Sequence, residues 1–146
     1  MGYCTANGHV ERAVRSLKGL IRTYVCDVQI RLSSPDCNFV VKEESSLLSY
    51  IILYSSWVYN HFHVQQKSGL TPYERLTGRE YTKSVCKFLS PVLWHPQNPK
   101  FKKGYDPIGR KGAWIGRIEE KNCNIILLPD GDITYCQTIK KMPKIS

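Results

Sequence analysis

Residues 112–139, with the sequence GAWIGRIEEKNCNIILLPDGDITYCQTI, have the pattern of short β-strands separated by turns. Three segments of this stretch alternate between apolar and polar residues or run apolar, and turn residues bound each of them. The predicted strands cover residues 112–118, 123–128 and 132–139. Residues 129–132 (Pro-Asp-Gly-Asp) predict a hairpin turn between the last two. With a fourth strand predicted over 84–93, the pattern favours a small β-barrel or a curled sheet.

The residues before this stretch have the periodicity of amphipathic helices. Apolar residues recur at spacings of three and four over 7–31, where Asn and Gly at the start predict a turn into the helix, and a second apolar helix is predicted over 43–61. Thr71 is a good N-cap for a short third helix, because Glu74 follows three residues later as in a capping box and Gly78 can end the helix. The chain is therefore predicted to be α+β, with a helical part over 1–82 and a small basic β module over 83–146.

Composition limits the class of protein. The 146 residues are 42% hydrophobic, which is enough to build a core and excludes wholesale disorder. The most apolar run, residues 47–59, is too short to span a bilayer, and no signal peptide is visible at the start. The six cysteines contain no C-x-x-C pair, and the four histidines form no zinc pattern with them. We therefore expect an intracellular protein, nuclear or cytoplasmic, without a membrane partner.

The positive charge is concentrated in one region. Lys and Arg number 21 against 12 Asp and Glu, a formal net charge of +9, and residues 83–117 carry eight basic residues and one acid. Aromatic residues interleave with these charges, a mixture that suits contacts with the phosphates of nucleic acid. The basic residues assigned to DNA binding here are Lys100, Lys102, Lys103, Arg110 and Lys111. The alternative is a solvated loop, and Trp94 and Trp114 fit a core better than a base-stacking surface.

Residues 7–12 (Asn-Gly-His-Val-Glu-Arg) contain the carboxylate of greatest interest, Glu11. A carboxylate in the first turn of a helix has a simple explanation, since it complements the helix dipole. Arg15 and Lys18 follow four and seven residues after Glu11, so all three lie on one face of the predicted helix.

Several motifs together resemble a known family. Residues 7–22 carry Asn-Gly-x-x-Glu-Arg and a basic helix, residues 57–60 read WVYN, residues 69–79 read GLTPYERLTGR, and residues 111–117 read KGAWIGR. In this order and spacing they resemble the integrases of long-terminal-repeat retrotransposons, which are retroviral-type integrases. The resemblance implies that residues 1–82 are the C-terminal part of a truncated RNase H-like α/β core, followed by the small β-barrel-like module of the family.

The family resemblance also implies a metal-dependent reaction. The family's core holds two Mg²⁺ or Mn²⁺ ions with three carboxylates in the order Asp, Asp, Glu, and the metals activate the attacking oxygen and stabilise the leaving one. By its place in the motif, Glu11 matches the third carboxylate. All five aspartates of the chain come after Glu11. We therefore expect no tight metal binding and no strand transfer by this chain alone, and whether it is an enzyme stays open.

The family's use of this helix face predicts the partner. In the family the face points at the end of the element's DNA, so Arg15 and Lys18 are predicted to contact DNA, with an ordinary basic solvent face as the alternative. Because the helices would otherwise pack on a sheet that the chain lacks, we also expect self-association or pairing with the missing N-terminal half of the integrase. The other hypotheses are a domesticated, non-catalytic DNA-binding or interaction module, and an unrelated basic β protein.

Overall fold

A computed structural model describes residues 3–83, 85–96 and 109–142, and of residues 3–6 the backbone alone. The chain divides into two compact units, residues 1–83 and 84–146, and each is described by itself. The helical unit contains α1 (Tyr3–Leu32), α2 (Ser46–Phe62) and α3 (Pro72–Thr77). None of the helices within the described ranges is long and apolar enough to cross a membrane.

The start of α1 differs from the prediction. The helix begins at Tyr3, so the Asn-Gly pair at positions 7 and 8 lies inside it and does not form a turn. Glu11 consequently lies beyond the first turn, which contains no acidic residue. The helix dipole acts within the first turn, so it does not explain Glu11.

The packing of the helical unit is dominated by aromatic contacts. Val28 on α1 and Ile51 on α2 are completely buried, and the rings of Tyr24 and Tyr54 meet edge to face with 5.0 Å between their centroids. At the end of α2, the His61 ring lies 4.8 Å from that of Tyr73, which follows on α3. These contacts join the three helices through their aromatic side chains.

The caps of α3 are as the sequence predicts. The Thr71 hydroxyl oxygen accepts a hydrogen bond from the Glu74 backbone N–H at 3.1 Å, and Gly78 ends the helix in the left-handed region with φ of 69°. Gly tolerates this conformation without the clash that a Cβ would introduce. The predicted N-cap at Thr71 and helix end at Gly78 are therefore confirmed.

The second unit is one antiparallel sheet. Its strands are β1 (Ser90–Trp94), β2 (Arg110–Ile118), β3 (Cys123–Leu127), β4 (Ile133–Cys136) and β5 (Ile139–Lys141). They lie in the order β4-β3-β2-β1-β5, so β4 and β5 are the edges among the described residues. Among the described residues the sheet is open, so of the two predicted alternatives it is not a closed barrel, and the α+β class is confirmed.

Two predicted strands have different bounds in the structure. The strand predicted over 84–93 begins only at Ser90, because residues 85–89 instead bring Cys86 and Phe88 into the core. The strand predicted over 132–139 is two strands, β4 and β5, which lie on opposite edges of the sheet. The predicted hairpin turn is confirmed, with the Gly131 N–H donating to the Leu128 carbonyl at 3.0 Å.

The core of the β unit lies on one face of the sheet. Alternation along the strands sends Val92, Trp94, Trp114 and Ile126 to this face, and each is at least nine-tenths buried. Cys136 lies there too, and burial, with a smaller effect of Cys123, raises the pKa of its thiol to about 11. The thiol therefore stays protonated in the folded chain at neutral pH.

Candidate nucleic-acid interface

The predicted DNA-binding residues of the β unit lie at the start of β2. Arg110 and Lys111 are both exposed, and the Arg110 guanidinium lies 5.8 Å from the centre of the Trp94 ring. Lys100, Lys102 and Lys103, which were predicted with them, lie outside the described residues. The position of Arg110 over an aromatic ring is a cation–π arrangement that holds its charge at the surface.

An open depression of about 350 Å³ lies beside these two cations. It is lined by Trp94, Arg110, Lys111, Leu128, Pro129 and Asp130. Asp130 brings one carboxylate to the rim, and its Oδ1 accepts a hydrogen bond from the Asp132 N–H at 3.0 Å. The depression is thus of mixed charge, with the positive charge on β2 and the negative charge on the hairpin turn.

The two tryptophans of this unit belong to the core. Trp94 is 7% exposed and Trp114 is 2% exposed, so neither presents a ring face on which a base could stack. Trp114 donates its indole N–H to the Asn124 Oδ1 at 3.1 Å, while within the described ranges no hydrogen-bond partner reaches the Trp94 Nε1. The sequence-based preference for a core role of both rings agrees with this burial.

Asn124 joins this core to the last strands. Its side chain is 4% exposed, and its Nδ2 donates to the carbonyl oxygens of Cys136 at 3.5 Å and Gln137 at 3.3 Å. Arg117 also donates to the Asn124 Oδ1, at 3.4 Å, and its Nε lies 3.2 Å from a carboxylate oxygen of Glu119. Arg117 is therefore engaged inside the unit, unlike the two cations at the start of β2.

The pairing of the strands adds Lys140 to the cations near β2, although the count of charges along the sequence did not point to it. Lys111 on β2 lies opposite Leu93 on β1, and Leu93 lies opposite Lys140 on β5. Both lysines are exposed. The sequence does show two consecutive lysines, Lys140 and Lys141, but they lie well outside the basic segment 83–117. Only the pairing of β5 with β1 brings Lys140 near the basic residues of β2.

A second basic surface lies on α1 in the other unit. Glu11, Arg15 and Lys18 are all exposed, and their spacing places them on one face of the helix. Within the described part of the chain, no hydrogen bond or ion pair engages these three side chains. The arrangement leaves two free cations beside one free carboxylate.

The carboxylates of the described residues do not fit a two-metal site. No group of three or more His, Cys, Asp or Glu side chains that could hold a metal ion occurs among them. Glu11 alone supplies one oxygen donor group where a pair of divalent cations needs several. We therefore derive no metal-dependent step from this arrangement.

The helical unit exposes many large apolar side chains. Among the described residues, eleven large apolar side chains of the helical unit are at least 40% exposed, against one, Tyr135, in the β unit. Those of the helical unit are Val10, Val14, Ile30, Leu32, Val40, Ile52, Leu53, Phe62, Val64, Leu70 and Leu76. Large exposed apolar patches mark surfaces that other molecules cover.

Comparison with known proteins adds no relative to these observations. No family model, no curated protein and no solved structure matches the chain.

Proposed function

We propose that the chain corresponds to the C-terminal part of a long-terminal-repeat retrotransposon integrase and that it binds DNA without catalysing strand transfer alone. In this proposal α1, α2 and α3 are the last helices of a truncated RNase H-like core, and the sheet is the family's basic β module. The observation that carries the proposal is the exposed row of Glu11, Arg15 and Lys18 on one helix face, at the spacing of the family motif.

The charges of both units support a polyanionic partner. Arg15 and Lys18 on α1, and Arg110 and Lys111 on β2, are exposed cations in a chain with a net charge of +9. Such cations bind DNA by displacing the counterions of its phosphates, which needs no base-specific contact. The bound partner in the proposal is therefore duplex DNA, contacted through its backbone.

The exposed apolar side chains support a second part of the proposal. Their number in the helical unit fits helices whose faces are covered by another polypeptide. In the proposal this is a second copy or the N-terminal half of the integrase, and the N-terminal half would supply the carboxylates that the described residues do not bring to Glu11.

DNA binding is expected to weaken steeply with salt. The affinity of the full chain for a fluorescent random-sequence duplex should fall with a log–log slope near −0.9 for each phosphate contacted, because counterions are released on binding. Fluorescence anisotropy between about 50 and 200 mM salt measures this slope. Arg15→Gln with Lys18→Gln should make the slope shallower by about 2, while Lys67→Gln, an exposed residue outside both basic surfaces, should not. No binding at low salt, or affinity independent of salt, would contradict the proposal.

Strand transfer by the chain alone is expected to be absent. With Mg²⁺ or Mn²⁺ and a labelled element end, no joined DNA product should form, because one carboxylate does not hold the metal pair that the reaction needs. The control is Glu11→Gln, which removes that carboxylate at constant shape. Joined products from the parent chain that disappear in Glu11→Gln would show that this part of the proposal is wrong.

A further inference from the structure

Three neighbouring strands place two lysines on the outer face of the sheet. Leu93 is the last residue but one of β1 and lies between the buried residues Val92 and Trp94, so its side chain lies on the face opposite to the core. Residues that pair across a sheet share a face, and Leu93 pairs with Lys111 on one side and Lys140 on the other. We name Lys111, Leu93 and Lys140 the lysine row.

The geometry of the lysine row sets the distance between its two cations. Lys111 and Lys140 are separated by two interstrand spacings, about 10 Å between their backbones. Both lysine side chains are exposed, and the half-buried Leu93 between them carries no charge that would repel or attract a phosphate. Two flexible lysine side chains at this distance can reach phosphates of one DNA backbone at the same time.

Among the described strand residues that pair across the sheet, none on the outer face is acidic. The next row along the sheet, Pro91, Ala113, Leu127 and Ile133, carries no charge. Asp130 lines the same depression as Lys111 and brings a carboxylate to it. Lys140 lies on β5, across β1 from the β2 residues that line the depression. The Asp130 carboxylate therefore weakens the attraction of Lys140 for a phosphate less than it weakens that of Lys111.

The neighbouring lysine of β5 has a different role. Lys141 pairs with Val92, on the core side of the sheet, and its Nζ donates to the Val85 carbonyl oxygen at 3.1 Å. This bond ties β5 to the segment before β1. Of the two consecutive lysines, Lys140 alone faces outward in the described structure.

We propose that the lysine row is a phosphate-binding site for the DNA backbone, formed by two segments that lie 29 residues apart in the sequence. The inference rests on the proposed DNA binding, and it adds Lys140 as a second contact beside Lys111 and the outer face of β2, β1 and β5 as the surface. The row holds the backbone by charge alone, so it confers no base preference.

The test is a set of single-charge variants of the full chain, measured on the same fluorescent duplex. Lys140→Gln and Lys111→Gln are each expected to lower the affinity about 8-fold at 0.1 M salt and to make the salt slope shallower by about 0.9, the contribution of one phosphate. Lys121→Gln, in the exposed turn between β2 and β3, makes the same change in net charge away from the row and should leave both quantities unchanged. Asp130→Asn removes the opposing carboxylate and should strengthen binding.

The outcomes separate this inference from the proposed function. If the parent chain binds no DNA, the proposed function and the inference both fail. If the parent binds and Lys140→Gln behaves like Lys121→Gln, the inference alone is overturned and the DNA lies on another surface. Circular dichroism of each variant checks folding, and because all three lysines are exposed, equal thermal unfolding is expected.

Discussion

Replacing Gly112 with alanine is expected to destabilise the β unit by about 3 kcal/mol. A Cβ at this position would overlap the Cγ2 of Ile126, and it would lie 3.2 Å from the Leu127 carbonyl oxygen and 3.3 Å from the Trp94 ring. Ile126 is completely buried and cannot move into solvent. The added methyl group therefore forces strands β2 and β3 apart.

Urea unfolding of the full chain measures this effect, and hydrogen exchange assigns it to the β unit. A unit of this size is marginally stable, so a loss of about 3 kcal/mol should leave much of it unfolded. Gly19→Ala is the matched control, because nothing lies within 4 Å of the new methyl group on α1. The same substitution there should stabilise the helix by about 1 kcal/mol. Equal stability of Gly112→Ala and the parent chain would contradict the close approach of these strands.

Replacing Asn124 with leucine is expected to destabilise the β unit by about 3 kcal/mol. The change removes the acceptor of the Trp114 indole N–H and the donor to the carbonyls of Cys136 and Gln137. The Trp114 N–H and the Cys136 carbonyl are buried with Asn124, so water does not replace their lost bonds without opening the core. Leucine keeps the branch of asparagine at Cγ but is larger, so overpacking adds to the cost of the polar groups left unpaired.

A double-mutant cycle with Trp114→Phe isolates this interaction. Phenylalanine has no N–H group, so Asn124→Leu should be less destabilising in the Trp114→Phe background than in the parent chain. Gln137→Leu is the control, since Gln137 is exposed and the change should stay within about 0.5 kcal/mol. Additive effects of the two core substitutions would show that the hydrogen bond between these side chains contributes nothing.

The local features of the fold could be predicted from the sequence, because local chemistry fixes them. The caps of α3 at Thr71 and Gly78 and the hairpin turn at Gly131 each depend on a few adjacent residues. The start of α1 was missed because Asn7 and Gly8 favour a turn only weakly, and the helix continues through them to Tyr3. Element type was thus easier to predict than element bounds.

The candidate site was only partly predictable, because it depends on which strands pair. Arg15 and Lys18 share a face with Glu11 through helical spacing, which the sequence alone gives. Lys140 joins Lys111 only through the pairing of both strands with β1, and charge counted along the chain contains no such information. The sequence analysis predicted a single strand over 132–139. It therefore did not separate β5 from β4, and the pairing of β5 with β1 could not be predicted.

The short connection between β4 and β5 makes the lysine row sensitive to chain length. Only Gln137 and Thr138 separate the two strands. Because side chains alternate between faces, one residue inserted there would turn β5 over, bringing Lys140 to the core side and both Ile139 and Lys141 to the outside, with Ile139 opposite Leu93. A glycine inserted there leaves the net charge of the chain unaltered. Two proteins with the same net charge would therefore present a β5 lysine at different positions on the outer face of the sheet.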